Sequence, residues 1–157
     1  MKKLIIAEKP SVGRNIASAL GGGKAKKGCI ETKEYFITWA FGHLLQLYDG
    51  FDYDKKMRSW KLENFPFIPS KFLYKIKTTG GIRGSIDKGV EEQLNLISSL
   101  AEKNNVSDII LATDWDREGQ IIGDEILSYL NIEKPVERLL LNEWTEKEVL
   151  SGLSSLR

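Results

Sequence analysis

A short apolar run near the start of the chain, KLIIA (Lys3–Ala7), constrains the fold more than any other feature. After its lysine the run is entirely aliphatic, as in a central strand of a parallel sheet that is covered on both faces. The following SVGRNIASALG has helical periodicity, with Ser11 as the predicted N-cap and Gly21 as the helix stop. Its apolar stripe consists of Val12, Ile16 and Leu20. This strand, turn and helix predict an α/β fold.

Strands and helices alternate again in the second half of the chain. DIILATD and VERLLLN predict strands, while VEEQLNLISSLAEKNN, REGQIIGDEILSYLN and TEKEVLSGLSSL predict helices, the last with Thr145 as its N-cap. The first of these helices has an apolar stripe of Val90, Leu94, Ile97 and Leu100. Earlier, IETKEYFITWAFGHLLQL predicts two strands around a polar turn near Lys33, and FLYKIK predicts an edge strand. The pattern predicts a Rossmann-like parallel sheet flanked by helices, with additional β-strands.

We expect one domain spanning residues 1–157, since no linker or internal repeat interrupts the pattern. The final predicted helix runs almost to the last residue, so the chain is expected to be a piece of a longer protein. GGGKAKKG (Gly21–Gly28) is interpreted as a flexible basic loop, and GGIRGSIDKG as a second glycine-rich loop. The aromatic segment YDGFDYDKKMRSWKLENFPFIPSKF predicts a long packed loop, with Trp60 and Phe65–Phe67 lying over the sheet; nothing else in the sequence supports the alternative that they stack on bases.

Composition bounds the function without assigning it. The 23 Lys and Arg against 22 Asp and Glu give a net charge of +1, which neither favours nor excludes a nucleic-acid partner. The single cysteine, Cys29, can form neither an internal disulfide nor a metal-binding cysteine cluster. The opening apolar run is too short for a signal peptide, and no stretch approaches the ~18 apolar residues of a membrane span. We therefore expect no membrane association and a cytoplasmic location.

Three acids on alternate positions, Asp114, Asp116 and Glu118, follow a predicted buried strand in LATDWDREGQ. Alternate residues of an extended segment point the same way, and ligands of open α/β sheets bind at the carboxyl ends of the strands. Carboxylates held close together repel one another unless a cation lies between them. An all-oxygen ligand set suits Mg²⁺, with Mn²⁺ as a substitute, and Mg²⁺ commonly bridges to a substrate phosphate. The alternative is that Asp114 caps the next helix while the other two acids favour its positive end.

A second polar pair, Glu8 and Lys9, ends the first predicted strand on the same edge of the sheet. Lys9 could neutralise a phosphoryl oxygen, and Glu8 could transfer a proton to or from an oxygen. The alternative is an ion pair in a surface turn before Pro10, worth well under ~1 kcal/mol. The acids on the same edge favour the catalytic interpretation.

Taken together, these motifs resemble the N-terminal Toprim domain of a type IA DNA topoisomerase, of the topoisomerase III branch. The resemblance rests on LIIAEKPSVGRNIASALG, ITWAFGHLLQL, WKLENFPFIP, LATDWDREGQIIGDEIL and RLLLNEWTEKEV, which cover nearly the whole chain in the family's order. It implies four parallel strands with flanking helices and extra strands. It also implies ATP-independent cleavage of single-stranded DNA through a 5′-phosphotyrosine link, strand passage and resealing.

The resemblance also implies roles for individual residues. Glu8 would handle the proton of the leaving 3′ oxygen, and Lys9 would contact the scissile phosphate. Asp114, Asp116 and Glu118 would hold Mg²⁺. The nucleophilic tyrosine would lie in another domain of the same topoisomerase, since the five tyrosines here match no such motif and the isolated chain is expected to be inactive.

Two residues depart from the family pattern, and several others have more than one interpretation. Trp115 stands where the family usually has proline. Gln120 stands where it usually has glutamate, and the loss of this acid next to the cluster disfavours a second metal ion. His43 is interpreted as a hydrogen-bonded structural histidine, with a DNA contact as the alternative, and Arg117 is a candidate DNA contact. The lysines of the basic loop are either solvated or in contact with the DNA backbone.

Two other kinds of protein fit part of the pattern. A primase or nuclease with a Toprim domain uses similar acidic chemistry on nucleic acid, but the matches outside the acids favour a topoisomerase. A receiver-like signalling domain is also α/β and binds Mg²⁺. A receiver, however, needs an acidic pair after its first strand, and here Glu8 is followed by a lysine.

Overall fold

The computed structural model describes residues 1–80 and 84–157. Its strands are, in chain order, β1 (Lys2–Ala7), β2 (Lys24–Lys26), β3 (Cys29–Glu31), β4 (Tyr35–Trp39), β5 (Leu45–Leu47), β6 (Tyr74–Ile76), β7 (Thr78–Thr79), β8 (Ser85–Ile86), β9 (Val106–Ala112) and β10 (Val136–Arg138). Its α-helices are α1 (Pro10–Ala19), α2 (Gly50–Tyr53), α3 (Lys88–Ala101), α4 (Arg117–Tyr129) and α5 (Glu146–Leu153). Two short 3-10 turns cover Lys55–Arg58 and Leu62–Asn64.

The central sheet has six strands in the spatial order β10-β9-β1-β4-β3-β2. The first four are parallel to one another, while β3 and β2 are added antiparallel at one side. This confirms the predicted parallel sheet with additional strands. In the register of the two central strands, Ala7 lies opposite Ala112. The carboxyl ends of β1 and β9 therefore meet at one edge of the sheet.

Both faces of the sheet are covered, as the apolar strand β1 predicts. Leu4 and Ile6 pack with α3 and α4 on one face, and Ile5 and Ala7 pack with α1 and α5 on the other. All four side chains are completely buried. Because successive side chains of a strand point to opposite faces, an uninterrupted apolar run can fill both halves of the core.

The predicted helices are present, but α3 covers Lys88–Ala101 rather than residues 90–105, α5 ends at Leu153, and the first N-cap differs. Helix α1 begins at Pro10, so Lys9 occupies the N-cap position and the prediction of Ser11 is wrong. Proline has no N–H to satisfy and its φ suits the first helical position. Gly21 has φ +83° and ends the helix as predicted. Thr145 accepts a hydrogen bond from the Glu148 N–H at 3.4 Å, which confirms it as the N-cap of α5.

The predicted flexible basic loop contains an edge strand instead. Lys24 to Lys26 form β2, which pairs antiparallel with β3. An edge strand rich in lysine disfavours pairing with another chain. The second predicted glycine-rich loop, residues 80–89, falls partly on residues 81–83, which lie outside the described residues. Its later part is not a loop, because Ser85–Ile86 form β8, which pairs with β7, and α3 begins at Lys88.

The aromatic segment forms a separate lobe rather than a loop packed over the sheet. We define the aromatic lobe as residues 48–73, which lie between the paired strands β5 and β6. It contains α2 and both 3-10 turns, and its Trp60 is 85% exposed. The prediction that Trp60 and Phe65–Phe67 lie over the sheet is therefore wrong, since Phe65 and Phe67 line a cavity within the lobe and neither joins the core of the sheet. Among the residues the structure describes, no helix combines the length and apolar character needed to cross a membrane.

Candidate active site at the carboxyl edge of the sheet

The two sequence motifs meet where β1 and β9 end. Glu8 directly follows β1, and its backbone N–H donates to the carbonyl oxygen of Ala112, the last residue of β9, at 3.2 Å. Asp114 comes two residues after β9. The parallel pairing of the two strands thus places the residues after each strand side by side.

Glu8 joins the motifs through both of its carboxylate oxygens. One oxygen, Oε2, accepts the Asp114 backbone N–H at 3.0 Å, and the other, Oε1, lies 2.9 Å from the Lys9 ammonium. The Lys9 Nζ is also 3.5 Å from Asp114 Oδ2. Glu8 is only 5% exposed. We call these three residues, Glu8, Lys9 and Asp114, the carboxyl-edge site.

Lys9 is a fixed positive charge that remains accessible. The hydrogen bond to Glu8 raises the pKa of Lys9 above its usual value, and the negative charges of Glu8 and Asp114 add to the effect. Its side chain is 53% exposed. An ammonium group held beside a buried carboxylate yet open to solvent can meet an incoming anion such as a phosphate.

The three acids do not point to one place. Strand β9 ends at Ala112, before the first of them, so the predicted strand alternation does not persist through the acids. Asp116 is the N-cap of α4 and accepts the Gly119 N–H at 2.7 Å, whereas Glu118 lies in the first turn with a side chain 70% exposed. The described residues include no group of three His, Cys, Asp or Glu side chains arranged to hold a metal ion. The capping role predicted for Asp114 belongs to Asp116.

Gly119 permits the close approach between α4 and the acidic loop. A Cβ atom at this position would overlap the carbonyl oxygen of Asp114 and lie 2.8 Å from its backbone nitrogen. Only a residue without a side chain fits there. The first turn of α4 is therefore held directly against the backbone that follows β9.

Arg138, at the end of β10, holds this loop and was missed by the sequence interpretation. Its Nη2 donates to Thr113 Oγ1 at 2.9 Å and to the Asp114 carbonyl oxygen at 3.3 Å, and its Nη1 donates to Gln120 Oε1. Burial lowers the pKa of Arg138, against the opposing charges of Asp124 and Asp116. Within the described chain, its buried Nε has no hydrogen-bond partner.

No sequence motif marks Arg138 as a site residue; its role follows from its position in the sheet. It ends the third of the adjacent parallel strands whose carboxyl ends build the site. Gln120, which departs from the family pattern, accepts from Arg138 and donates to Asp124 Oδ1 at 2.7 Å. An amide can serve both partners because it carries an acceptor and two donors.

His43 extends the site toward α4. Its Nδ1 lies 3.0 Å from Glu125 Oε2, which confirms the predicted hydrogen-bonded histidine. Its Nε2 is 3.9 Å from Glu118 Oε1, so the histidine stands beside one of the three acids. Arg117 is the exposed first residue of α4.

Trp115 and the tyrosines lie around or away from this edge. Trp115 is 54% exposed on the acidic loop. Tyr35 lies opposite Lys3 at the amino end of the strands, and Tyr129 ends α4 far along the helix from Asp116. The other tyrosines belong to the lobe and its flanking strands; they are Tyr48, Tyr53 and Tyr74. The Tyr53 hydroxyl donates to the Lys71 carbonyl oxygen at 3.0 Å, a structural role.

Comparison with known proteins gives consistent matches over nearly the whole chain. The family model described as the Toprim domain matches residues 3–144. The DNA topoisomerase 3 proteins of Bacillus subtilis (strain 168) and Bacillus anthracis are each 38% identical over 157 residues, covering 99% of this chain and 20% of their own. The chain thus spans about a fifth of the length of these relatives. Full-length topoisomerase I from Thermotoga maritima has a TM-score of 0.55 at 24% identity, covering 99% of this chain and 21% of that one.

Proposed function

Since the chain belongs to the Toprim family, we propose that it is the catalytic Toprim domain of a type IA DNA topoisomerase of the topoisomerase III kind. In this proposal residues 1–157 act as one domain in ATP-independent cleavage, strand passage and resealing of single-stranded DNA. The tyrosine that forms the 5′-phosphotyrosine link belongs to another domain of the same topoisomerase. The observation that carries the proposal is the direct contact among Glu8, Lys9 and Asp114.

The geometry of the carboxyl-edge site suits proton transfer beside a phosphate. Lys9 supplies a positive charge to a phosphoryl oxygen, which stabilises the charge that develops there during cleavage. Glu8 supplies a carboxylate for the proton of the leaving 3′ oxygen. The Asp114 N–H fixes the orientation of Glu8, so the carboxylate need not reorganise when the substrate arrives.

The donor set around this site fits Mg²⁺, with Mn²⁺ as a substitute. Asp114, Asp116 and Glu118 offer only oxygen, and the side chains of Asp114 and Glu118 are 41% and 70% exposed. Mg²⁺ retains several waters and takes few protein carboxylates, so it does not require a closed cage of three. When bound, the cation would supply positive charge to the phosphate oxygens. The proposed ligands come from Asp114, Asp116 and Glu118, with water in the remaining positions, because the three side chains are not gathered into one cage.

DNA contacts beyond the reacting phosphate are proposed for His43 and Arg117. Both lie beside the first turn of α4, where Glu118 also stands. The lysines of the basic segment are less suited to this role, because Lys26 pairs with Glu31 at 2.5 Å and Lys27 pairs with Glu92 at 2.6 Å.

A Toprim primase or nuclease is the alternative enzyme class. The 38% identity to DNA topoisomerase 3 extends over the whole chain, including segments away from the acids, and this favours a topoisomerase. A receiver-like signalling role is disfavoured by membership of the Toprim family and by the lysine after Glu8.

Metal binding by the 157-residue chain tests the proposed ligands. We expect Asp114→Asn to weaken Mg²⁺ binding at least about tenfold in calorimetric titration. Asp87→Asn is the matched control, because Asp87 caps α3 through the Gly89 N–H at 2.9 Å and asparagine caps equally well. Equal Mg²⁺ affinities of the two variants would show that the acidic loop caps the helix and does not bind the metal.

A further inference from the structure

The aromatic lobe contains a cavity that the proposed catalysis does not use. Its volume is about 270 Å³. The lining residues are Asp49, Gly50, Phe51, Met57, Trp60, Phe65 and Phe67. Four of the seven are aromatic, so the wall consists mainly of ring faces and edges. Flat, apolar ring systems are the ligands that such walls accommodate.

The rings of this cavity are exposed and yet held in place. Trp60 is 85% exposed and Phe65 is 41% exposed, and their centroids lie 5.6 Å apart. Another lining ring, Phe51, lies under the Lys75 ammonium at 5.2 Å. Lys75 is in turn fixed by ion pairs to Asp49, at 3.0 Å, and to Asp52. Phe51 is thus held by its neighbours, while Trp60 is the most exposed of the lining rings.

The segment that carries Trp60 is rich in positive charge. The aromatic lobe as a whole holds five Lys and Arg against four Asp and Glu, but residues 55–61 contain four of these cations and no acid. Two of the four acids, Asp49 and Asp52, share one ion-pair partner, Lys75. The exposed cations nearest the cavity in sequence flank Trp60 on both sides; they are Lys55, Lys56, Arg58 and Lys61, the last of which lies 3.6 Å from Glu63.

We propose that this cavity is a second binding site for single-stranded nucleic acid, which takes one unpaired base between its rings. The lysines around Trp60 would contact the flanking phosphates. Aromatic side chains interleaved with cations are the recurring means of binding single strands without sequence preference. The inference rests on the proposed function, because it adds a second contact with the single-stranded DNA on which the domain is proposed to act.

An apolar protein segment is the competing occupant, because Leu62 and Ile68 in the same lobe are 93% and 82% exposed. Charge complementarity favours the nucleic acid. A peptide anchored only by apolar contacts gains nothing from a rim of lysines, whereas a phosphate backbone does. The ring-lined cavity also matches a planar base better than a branched aliphatic side chain.

Fluorescence anisotropy with the full 157-residue chain tests this site directly. The probe is a labelled oligothymidylate of about 12 nucleotides, compared with an abasic oligomer of equal length and charge. Low salt and a chelator keep the measurement independent of any metal at the carboxyl-edge site. We expect the chain to prefer the oligomer that carries bases, and Trp60→Ala to weaken its binding by about 5- to 100-fold.

Two further variants make the result specific. Trp60→Phe should retain most of the affinity, since the ring is kept. Phe72→Ala is the matched control, because Phe72 is 73% exposed in the same lobe but does not line the cavity, and it should bind as the unaltered chain does. Circular dichroism of each variant verifies that the fold is kept.

Three results would overturn the inference. These are equal binding of the abasic and base-bearing oligomers, an equal loss in Phe72→Ala and Trp60→Ala, or unchanged DNA affinity in Trp60→Ala. If the last is accompanied in sedimentation by loss of self-association, the cavity binds a second copy of the chain instead. The Mg²⁺ titration of Asp114→Asn does not depend on any of these three results. The proposed catalytic site can therefore hold even if the cavity binds no base.

Discussion

Glu8 is the residue on which the geometry of the carboxyl-edge site depends. Its buried carboxylate receives the Asp114 N–H with one oxygen and faces the Lys9 ammonium with the other. An unpaired carboxylate at this depth would be costly, so Lys9 and the Asp114 backbone stabilise a group that the core would otherwise exclude. The same two partners aim it at the edge where a phosphate can approach.

The fit of Gly119 against Asp114 gives a stability prediction at the same scale. We expect Gly119→Ala to destabilise the chain by about 1–3 kcal/mol in urea unfolding, because the new Cβ must displace the Asp114 carbonyl oxygen. Gly89→Ala is the matched control in the first turn of α3. There the added Cβ meets only Asp87 Oδ1, at 3.3 Å. Equal stability of the two variants would show that the loop moves away from α4 without cost.

At the scale of elements, the sequence predicted what depends on apolar periodicity. The strand at Lys3–Ala7 follows from an apolar run that is buried on both faces. The helices α3, α4 and α5 follow from apolar residues spaced along one buried face. The strand β2 escaped prediction because two of its three residues are lysines and only pairing with β3 makes it a strand. Tertiary pairing is not visible in local composition.

The sequence predicted where the three acids lie in the fold, but it did not predict the directions of their side chains. The acids were correctly assigned to the carboxyl edge of β9, since strand order alone determines that. Their alternate spacing suggested a shared direction, but α4 requires an N-cap and takes Asp116 for it. The contribution of Arg138 depends on which strand lies next to β9, and that neighbour is known only from the topology.

The ion pairs that join β1 to the β2–β3 hairpin make stability depend on pH. Glu31 receives the Lys2 ammonium at 2.7 Å and the Lys26 ammonium at 2.5 Å, and these hydrogen bonds lower its pKa from 4.5 to about 2. A carboxyl whose pKa is lower in the folded state stabilises the fold above its unfolded pKa. That stabilisation is lost as the pH falls from about 4.5 through about 2.

We therefore expect Glu31→Gln to lower the free energy of unfolding at neutral pH and to flatten its decline between these two pH values. Denaturant unfolding at a series of pH values measures both effects, and added salt should shrink them because the pairs are partly exposed. Glu34→Gln, in the neighbouring exposed turn, is the control. Parallel pH profiles for Glu31→Gln and the unaltered chain would contradict the assignment.

At the scale of the whole molecule, the chain spans about a fifth of the DNA topoisomerase 3 proteins it resembles. Its tyrosines lie at the amino end of the sheet, at the far end of α4, or in and beside the aromatic lobe. We expect the 157-residue chain by itself to relax no supercoiled plasmid, because a carboxylate and a lysine cannot replace the covalent nucleophile. Agarose gels of plasmid incubated with Mg²⁺ measure this. Relaxation by the chain alone would place the nucleophile within residues 1–157.

The most direct measurement is relaxation by a chimera in which this chain replaces the matching segment of the Bacillus subtilis DNA topoisomerase 3. We predict that the chimera relaxes negatively supercoiled plasmid. Glu8→Gln should then lower the rate by at least about 100-fold while circular dichroism shows that the fold is kept, since glutamine keeps the shape but loses the proton transfer and the ion pair with Lys9. A Glu8→Gln chimera that relaxes DNA as fast as the unaltered chimera would contradict the account.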